Sequence, residues 1–183
     1  TLPDGSIREF AQGVTPMEVA KNISEGFARN VISASFNGTT IETETPLTTD
    51  GNLILYTWND AEGKKAFWHS TSHVMAQALE ELYPGIKLTL GPAIANGFYY
   101  DVDFEDQKIS EADFKKIEDR VLEISRGKHE FKMRPVSKAD ALEMYKDNVY
   151  KTELISNLED GTITFCDHAT FTDLCRGGHI PNT

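Results

Sequence analysis

Cysteine is nearly absent from this chain. Cys166 and Cys175 are the two it has, which excludes the disulfide framework of a small secreted domain. No apolar run nears the ~20 residues that a membrane-spanning helix needs. The first residues, Thr1-Leu-Pro-Asp-Gly5, have neither the basic nor the apolar stretch of a secretory signal. Together these absences predict a reduced, cytoplasmic setting. Basic residues are also scarce: 18 Lys and Arg stand against 29 Asp and Glu, a net charge of −11. That is the wrong sign for a domain that grips nucleic acid by neutralising its phosphates. What remains is ordinary globular material, 183 residues with 39% hydrophobic content, enough for one domain or two small ones. There is no internal repeat and no low-complexity tract.

Against this background two short pairs stand out, His69-Ser-Thr-Ser-His73 and Cys175-Arg-Gly-Gly-His179, which take four of the seven His and Cys residues. His129, Cys166 and His168 lie outside them. Residues four apart on a helix sit one above the other, so both rings of the first pair can reach one point. Trp68 to Leu82 reads as such a helix. At about 100° per residue, Thr71, Val74, Met75, Ala78 and Leu82 gather on one side, and His69, His73, Ala76 and Glu80 on the other. The histidines thus leave the apolar stripe, and a solvated surface or the wall of a cleft is expected around them. The second pair spans a Gly-Gly turn, where missing side chains let backbone approach a bound group. As chemistry alone, the set fits a zinc site, a Cys-His nucleophile pair, or polar groups that orient a hydrolytic water.

The rest of the chain reads as mixed α and β. Pro3-Asp4-Gly5 predicts a turn into a strand over Ile7–Phe10. Thr15-Pro16-Met17-Glu18 has a cap, a proline at the first helical position and a glutamate three residues after the cap, which predicts a helix to about Ile23. Strands are expected over Val31–Phe36, past an Asn37-Gly38 hairpin turn, and over Leu53–Thr57. A hairpin, a helix and returning strands suggest a β-grasp over residues 1–60, with no catalytic group of its own. The polar stretch Asn59–Lys65, with Gly63, is the expected linker. Beyond it the pattern predicts strands at Ile86–Leu90 and Phe98–Phe104, with Tyr99 and Tyr100 on opposite faces. A helix capped by Ser110 follows, with Phe114, Ile117, Val121 and Ile124 in the core, ending at Gly127. Phe131–Val136, Ser137–Tyr145 and Thr162–Cys166 read as strand, helix and strand. An antiparallel sheet backed by helices fits this mixture.

Leu90-Gly-Pro-Ala-Ile-Ala-Asn-Gly-Phe-Tyr-Tyr-Asp-Val-Asp103, together with His69–Leu82, Val149-Tyr-Lys-Thr-Glu-Leu154 and Thr172-Asp-Leu-Cys-Arg-Gly-Gly-His-Ile-Pro-Asn182, resembles the N-terminal region of threonyl-tRNA synthetases. The motifs are long, in the family's order, and reach across nearly the whole chain. The resemblance implies an α+β protein: a ubiquitin-like TGS domain over residues 1–60, then an editing domain over 61–183 that removes serine wrongly attached to threonine tRNA. It carries His69, His73, Tyr100, Lys151, Asp173, Cys175 and His179 into the site. One departure is visible: the family often has C-x-G-P-H, and Gly178 stands where that proline would be, so the loop loses stiffness.

The resemblance implies ester hydrolysis at the acceptor end of tRNA(Thr) mischarged with serine. For that reaction His69 or His73 is the candidate base, and Lys151 a group that stabilises negative charge or protonates the leaving oxygen. Asp173 would orient a histidine or bind the substrate ammonium, and Tyr100 would contact substrate. A surface Lys151, a turn-capping Asp173 and a core Tyr100 are the plain alternatives. Cys175 is nucleophile, metal ligand or pocket wall; the resemblance favours the wall and no cofactor in this segment. An alanyl-type editing domain would instead hold zinc through His69, His73, Cys175 and His179. Arg176 is a candidate phosphate contact. The acidity suggests that most tRNA affinity resides elsewhere. The ends, without an initial Met and two residues past Pro181, read as those of an excised piece with a truncated editing domain. The family's full enzyme adds an aminoacylation core using ATP, magnesium and zinc, and dimerises through those further parts. A zinc-dependent hydrolase of another substrate and a non-catalytic TGS-containing binding module are the rival readings.

Overall fold

The computed structural model describes residues 1–183 and divides them into two compact units, Thr1–Ser70 with Gly177–Pro181, and Thr71–Arg176 with Asn182–Thr183. In the first unit, helix α1 (Pro16–Ile23) starts as its capping box directs: Glu18 N–H donates to Thr15 Oγ1 (3.2 Å) and Thr15 N–H to Glu18 Oε2 (2.8 Å). A short helix α2 (Glu25–Ala28) follows. Strands β1 (Val31–Phe36), β2 (Thr39–Ile41) and β3 (Leu53–Thr57) form an antiparallel sheet in the order β2-β1-β3. Asn37 and Gly38 turn the hairpin with φ of 50° and 81°, the left-handed pair that a two-residue turn requires. Val19 packs on Ala34 and Leu53, and Ala20 on Ala28 and Val31. Helix on antiparallel sheet is the β-grasp arrangement.

Two expectations fail in this unit. Ile7–Phe10 is not a strand; Ile7 is 80% exposed, because apolar side chains three apart cannot share one face of an extended chain. The expected linker is instead the first turn of helix α3 (Ala61–Leu82). Asp60 Oδ2 accepts from the N–H and hydroxyl of Thr57 (2.7 and 3.0 Å). Gly63 packs on the backbone, where a Cβ would lie 2.0 Å from Thr57 O. That glycine marks close packing and not a loop.

In the second unit α3 continues from Thr71. Its expected amphipathicity is absent: His73 is 3% exposed and Ala76 0%, on the face predicted to meet solvent or a cleft, and Val74, Ala78 and Leu79 on other faces are also buried. Burial spread over several faces between Ser72 and Leu79 leaves no clean stripe. Short strands β4 (Lys87–Leu88) and β7 (Val102–Asp103) pair, as do β5 (Ala93–Ile94) and β6 (Gly97–Phe98). The long strands expected over Ile86–Leu90 and Phe98–Phe104 are thus shorter, although Thr89–Asp101 and Asp101–Leu90 hydrogen bonds of 2.9 and 2.8 Å extend the ladder. Helix α4 (Glu111–Ser125) begins where Asp113 accepts from Ser110. It buries Ile117 and Ile124, while Phe114, expected in the core, is 53% exposed.

Strand β8 (Phe131–Pro135), helices α5 (Lys138–Met144) and α6 (Val149–Ser156), and strands β9 (Thr164–His168) and β10 (Phe171–Leu174) complete the unit. The sheet is antiparallel in the order β10-β9-β8. Ala141, Ile155, Ile163 and Phe165 form a core where α5 and α6 cover it. The protein is therefore α+β, with an antiparallel sheet backed by helices.

Candidate functional site

In the second unit the site is built around Asp173, which β10 presents inward at 3% exposure. Its neighbours come from three other elements. Lys151, on the first turn of α6 behind an Asn148 cap (3.1 Å), donates its ammonium to Asp173 Oδ1. Tyr100, between β6 and β7, donates its hydroxyl to Asp173 Oδ2. His73 Nδ1, from α3, lies 3.3 Å from the same oxygen. Lys151 is 1% exposed, so the reading of it as a surface lysine fails, and Asp173 lies in a strand, not at a turn cap. An isolated buried charge is costly, and this one is offset by a full ammonium and a phenol. Burial, then the Asp173 charge, pushes the Tyr100 phenol well above its ordinary value. Tyr100 is consequently a permanent donor.

Local packing fixes these groups. Gly91 lets the Tyr100 ring close over it, since a Cβ there would lie 2.2 Å from Tyr100 Cδ2. The Ser72 hydroxyl donates to Gly91 O (2.8 Å). Tyr145 donates to Thr172 O (2.9 Å), and its ring lies 5.8 Å from the Lys151 ammonium. Asp173 and Lys151 also line a cavity of about 410 Å³ with Glu80, Lys87, Tyr145 and Asn148, within the size range of small-molecule pockets. Partial desolvation, then the nearby Asp173 and Glu81, raises Glu80 above the usual carboxylate value. A larger groove in the first unit, lined by residues such as Ile7, Phe10 and Leu47, holds no candidate residue.

In the first unit the His69 and His179 rings stack at 4.6 Å, 26° apart. The loop that bears His179 turns on two left-handed glycines, Gly177 (φ 91°) and Gly178 (φ 88°). Three contacts pin it: Ile180 N–H donates to Ser70 Oγ (2.9 Å), His69 Nδ1 meets Gly178 O at 3.3 Å, and Glu42 accepts from the Gly178 and His179 N–H groups. A carbonyl only accepts, so the His69 contact assigns its proton to Nδ1 and leaves Nε2 as a lone pair. Proline at 178 would remove the N–H that Glu42 binds and forbid the positive φ. The Gly178 departure is therefore built into this loop.

His69 and His179 belong to the first unit, and His73 and Cys175 to the second. Three imidazoles and a thiol are a donor set that suits zinc in kind. Arg176 is exposed and Cys175 buried. His168, outside both motifs, is buried against Gln77 Oε1 (2.8 Å) and stacked on Phe131. Sequence reasoning missed Glu42, Ser70, Ser72, Glu80 and Tyr145; only Gly91, inside a quoted motif, signalled a close approach.

Residues 1–57 match the TGS domain family. The chain is 97% identical over all 183 residues to a threonine–tRNA ligase of Flavobacterium johnsoniae, 82% to one of Flavobacterium psychrophilum, and 51% over 185 aligned residues to one of Cytophaga hutchinsonii. Over its whole length the chain is similar to threonine–tRNA ligases. It spans 28% to 29% of the length of those ligases. No helix is long and apolar enough to cross a membrane.

Proposed function

We propose that this chain is the proofreading part of a threonine–tRNA ligase and hydrolyses serine from wrongly charged tRNA(Thr). The carrying observation is the buried carboxylate of Asp173, shared by Lys151, Tyr100 and His73. The need for such a site is one of size. Serine lacks only threonine's methyl, and one methyl is worth roughly 1–3 kcal/mol in a pocket. A second sieve must therefore destroy the smaller product.

In this reading the charge of Asp173, 3.3 Å from His73 Nδ1, favours the proton on that nitrogen and leaves Nε2 to take a proton from water. The water oxygen bonds to the ester carbonyl carbon, the bond to the ribose oxygen breaks, and that oxygen leaves with the proton that His73 Nε2 took from the water. Lys151 keeps the Asp173 charge compensated and supplies positive potential to the developing oxyanion. Tyr100 fixes the carboxylate and contacts substrate. Cys175 walls the pocket, and Arg176, exposed, contacts acceptor-end phosphate. Residues 1–60 would be the TGS domain and 61–183 the editing domain. The ligase's cytoplasmic setting, its ATP, magnesium and zinc, and its homodimer would belong to the whole enzyme.

A second reading follows from the donor chemistry of the two motifs. There zinc, held by His69, His73, Cys175 and His179, would supply a Lewis acid. Incubating the chain with seryl-tRNA(Thr) and threonyl-tRNA(Thr), with and without chelator, separates the two. The proposal expects serine release that survives chelation, spares the threonyl ester and disappears in His73→Ala. Equal hydrolysis of both esters, or release no faster than in buffer, overturns it. Loss of activity to chelator alone favours the metal reading.

A further inference from the structure

We propose that Glu42, within the TGS-matching residues 1–57, is a positioning residue that sets the tautomer of His179. The proposal rests on the proofreading reading above and extends it to a residue outside both motifs. Glu42 follows β2 directly. Its Oε1 accepts from Gly178 N–H (2.9 Å) and lies 3.0 Å from His179 Nδ1; its Oε2 accepts from His179 N–H (3.2 Å). One carboxylate thus meets three donors of a single loop. The His179 side chain is 0% exposed and that of Glu42 16%, so water competes poorly for these bonds.

The chemistry of the pair is directional. A carboxylate accepts and does not donate, so His179 carries its proton on Nδ1 and turns a lone pair out at Nε2. The His69 ring stacked 4.6 Å away is assigned the same way by its contact to Gly178 O. In both imidazoles Nε2 is therefore the acceptor nitrogen. Losing a hydrogen bond to a charged group is worth roughly 10–100-fold in an equilibrium or rate constant. Glu42 touches no reacting atom and acts through His179.

The test is Glu42→Gln in this chain, with exposed Glu44→Gln as control. The amide offers one oxygen where the carboxylate offers two, and its NH2 can turn toward Nδ1. Nitrogen-15 shifts of His179, read at about pH 8.5 where imidazoles are neutral, report the tautomer. Wild type and the Glu44 variant are expected to hold the proton on Nδ1, and Glu42→Gln to move part or all of it to Nε2. Serine release in Glu42→Gln should fall about 10–100-fold in kcat with KM within about twofold. If wild-type His179 carries its proton on Nε2, or keeps it on Nδ1 in Glu42→Gln while only the melting temperature falls, the proposal is overturned. If the wild-type chain releases no serine, the functional reading falls instead, and the nitrogen shifts still decide the role of Glu42.

Discussion

A carboxylate sealed from water needs an opposite charge within reach, and Asp173 meets this need through Lys151. The two side chains are 5% and 2% exposed, so each is the other's solvent. Removing one leaves the other charged and alone, a change that costs about 3–5 kcal/mol in measured cases. Lys151→Ala is expected to lose that much in urea denaturation; a loss under about 1 kcal/mol would mean that water reaches Asp173. At this scale the sequence was informative where chemistry forced a pattern. His69 and His73 are one helical turn apart, and two glycines separate Arg176 from His179, so their spacing could be read. Glu42 could not. In Ile41-Glu-Thr-Glu-Thr45 it looks like any solvated acid, and only the returning loop gives it donors.

Helix α3 carries both histidines and shows why elements are harder to bound than to detect. Its existence was legible from the four-residue spacing, but its first two turns were hidden behind Gly63 and a polar stretch, and burial spread over several faces of its middle erased the stripe. The strand misread over Ile7–Phe10 failed because its apolar residues, three apart, fall on opposite faces of an extended chain. Near the C-terminal end of α3, Glu80 is held above its ordinary value by partial desolvation and then by Asp173. The sign follows from linkage. Below the unfolded Glu value, about 4.3, the group is neutral in both states and costs nothing. As pH rises past it, the unfolded chain releases the proton first and the fold loses stability. Glu80→Gln should therefore raise the melting temperature at pH 7.5 and leave it unchanged near pH 4. A gain of equal size at both values would point to packing instead of charge.

Across the whole molecule, class was easier to read than layout. The α+β mixture followed from capping boxes, a hairpin dipeptide and helical spacing, each a local signal. The order β10-β9-β8 depends on long-range pairing that no short window encodes. The net charge of −11 means that, if the proposed function holds, phosphate neutralisation must come from parts of a ligase beyond these residues. The two buried thiols give the molecule something else, a pair of internal clocks. Cys166 sits in β9 with partners on both sides, Asp173 and Met133, and is 1% exposed, whereas Cys175 lies just past the end of β10 at 8%. A thiol reagent can reach Cys175 when the strand end frays, but Cys166 only when the sheet comes apart. Labelling should therefore proceed in two phases, with Cys175 first and weakly dependent on denaturant, and Cys166 later at the pace of global unfolding. A single shared rate would mean that this end of the sheet opens all at once.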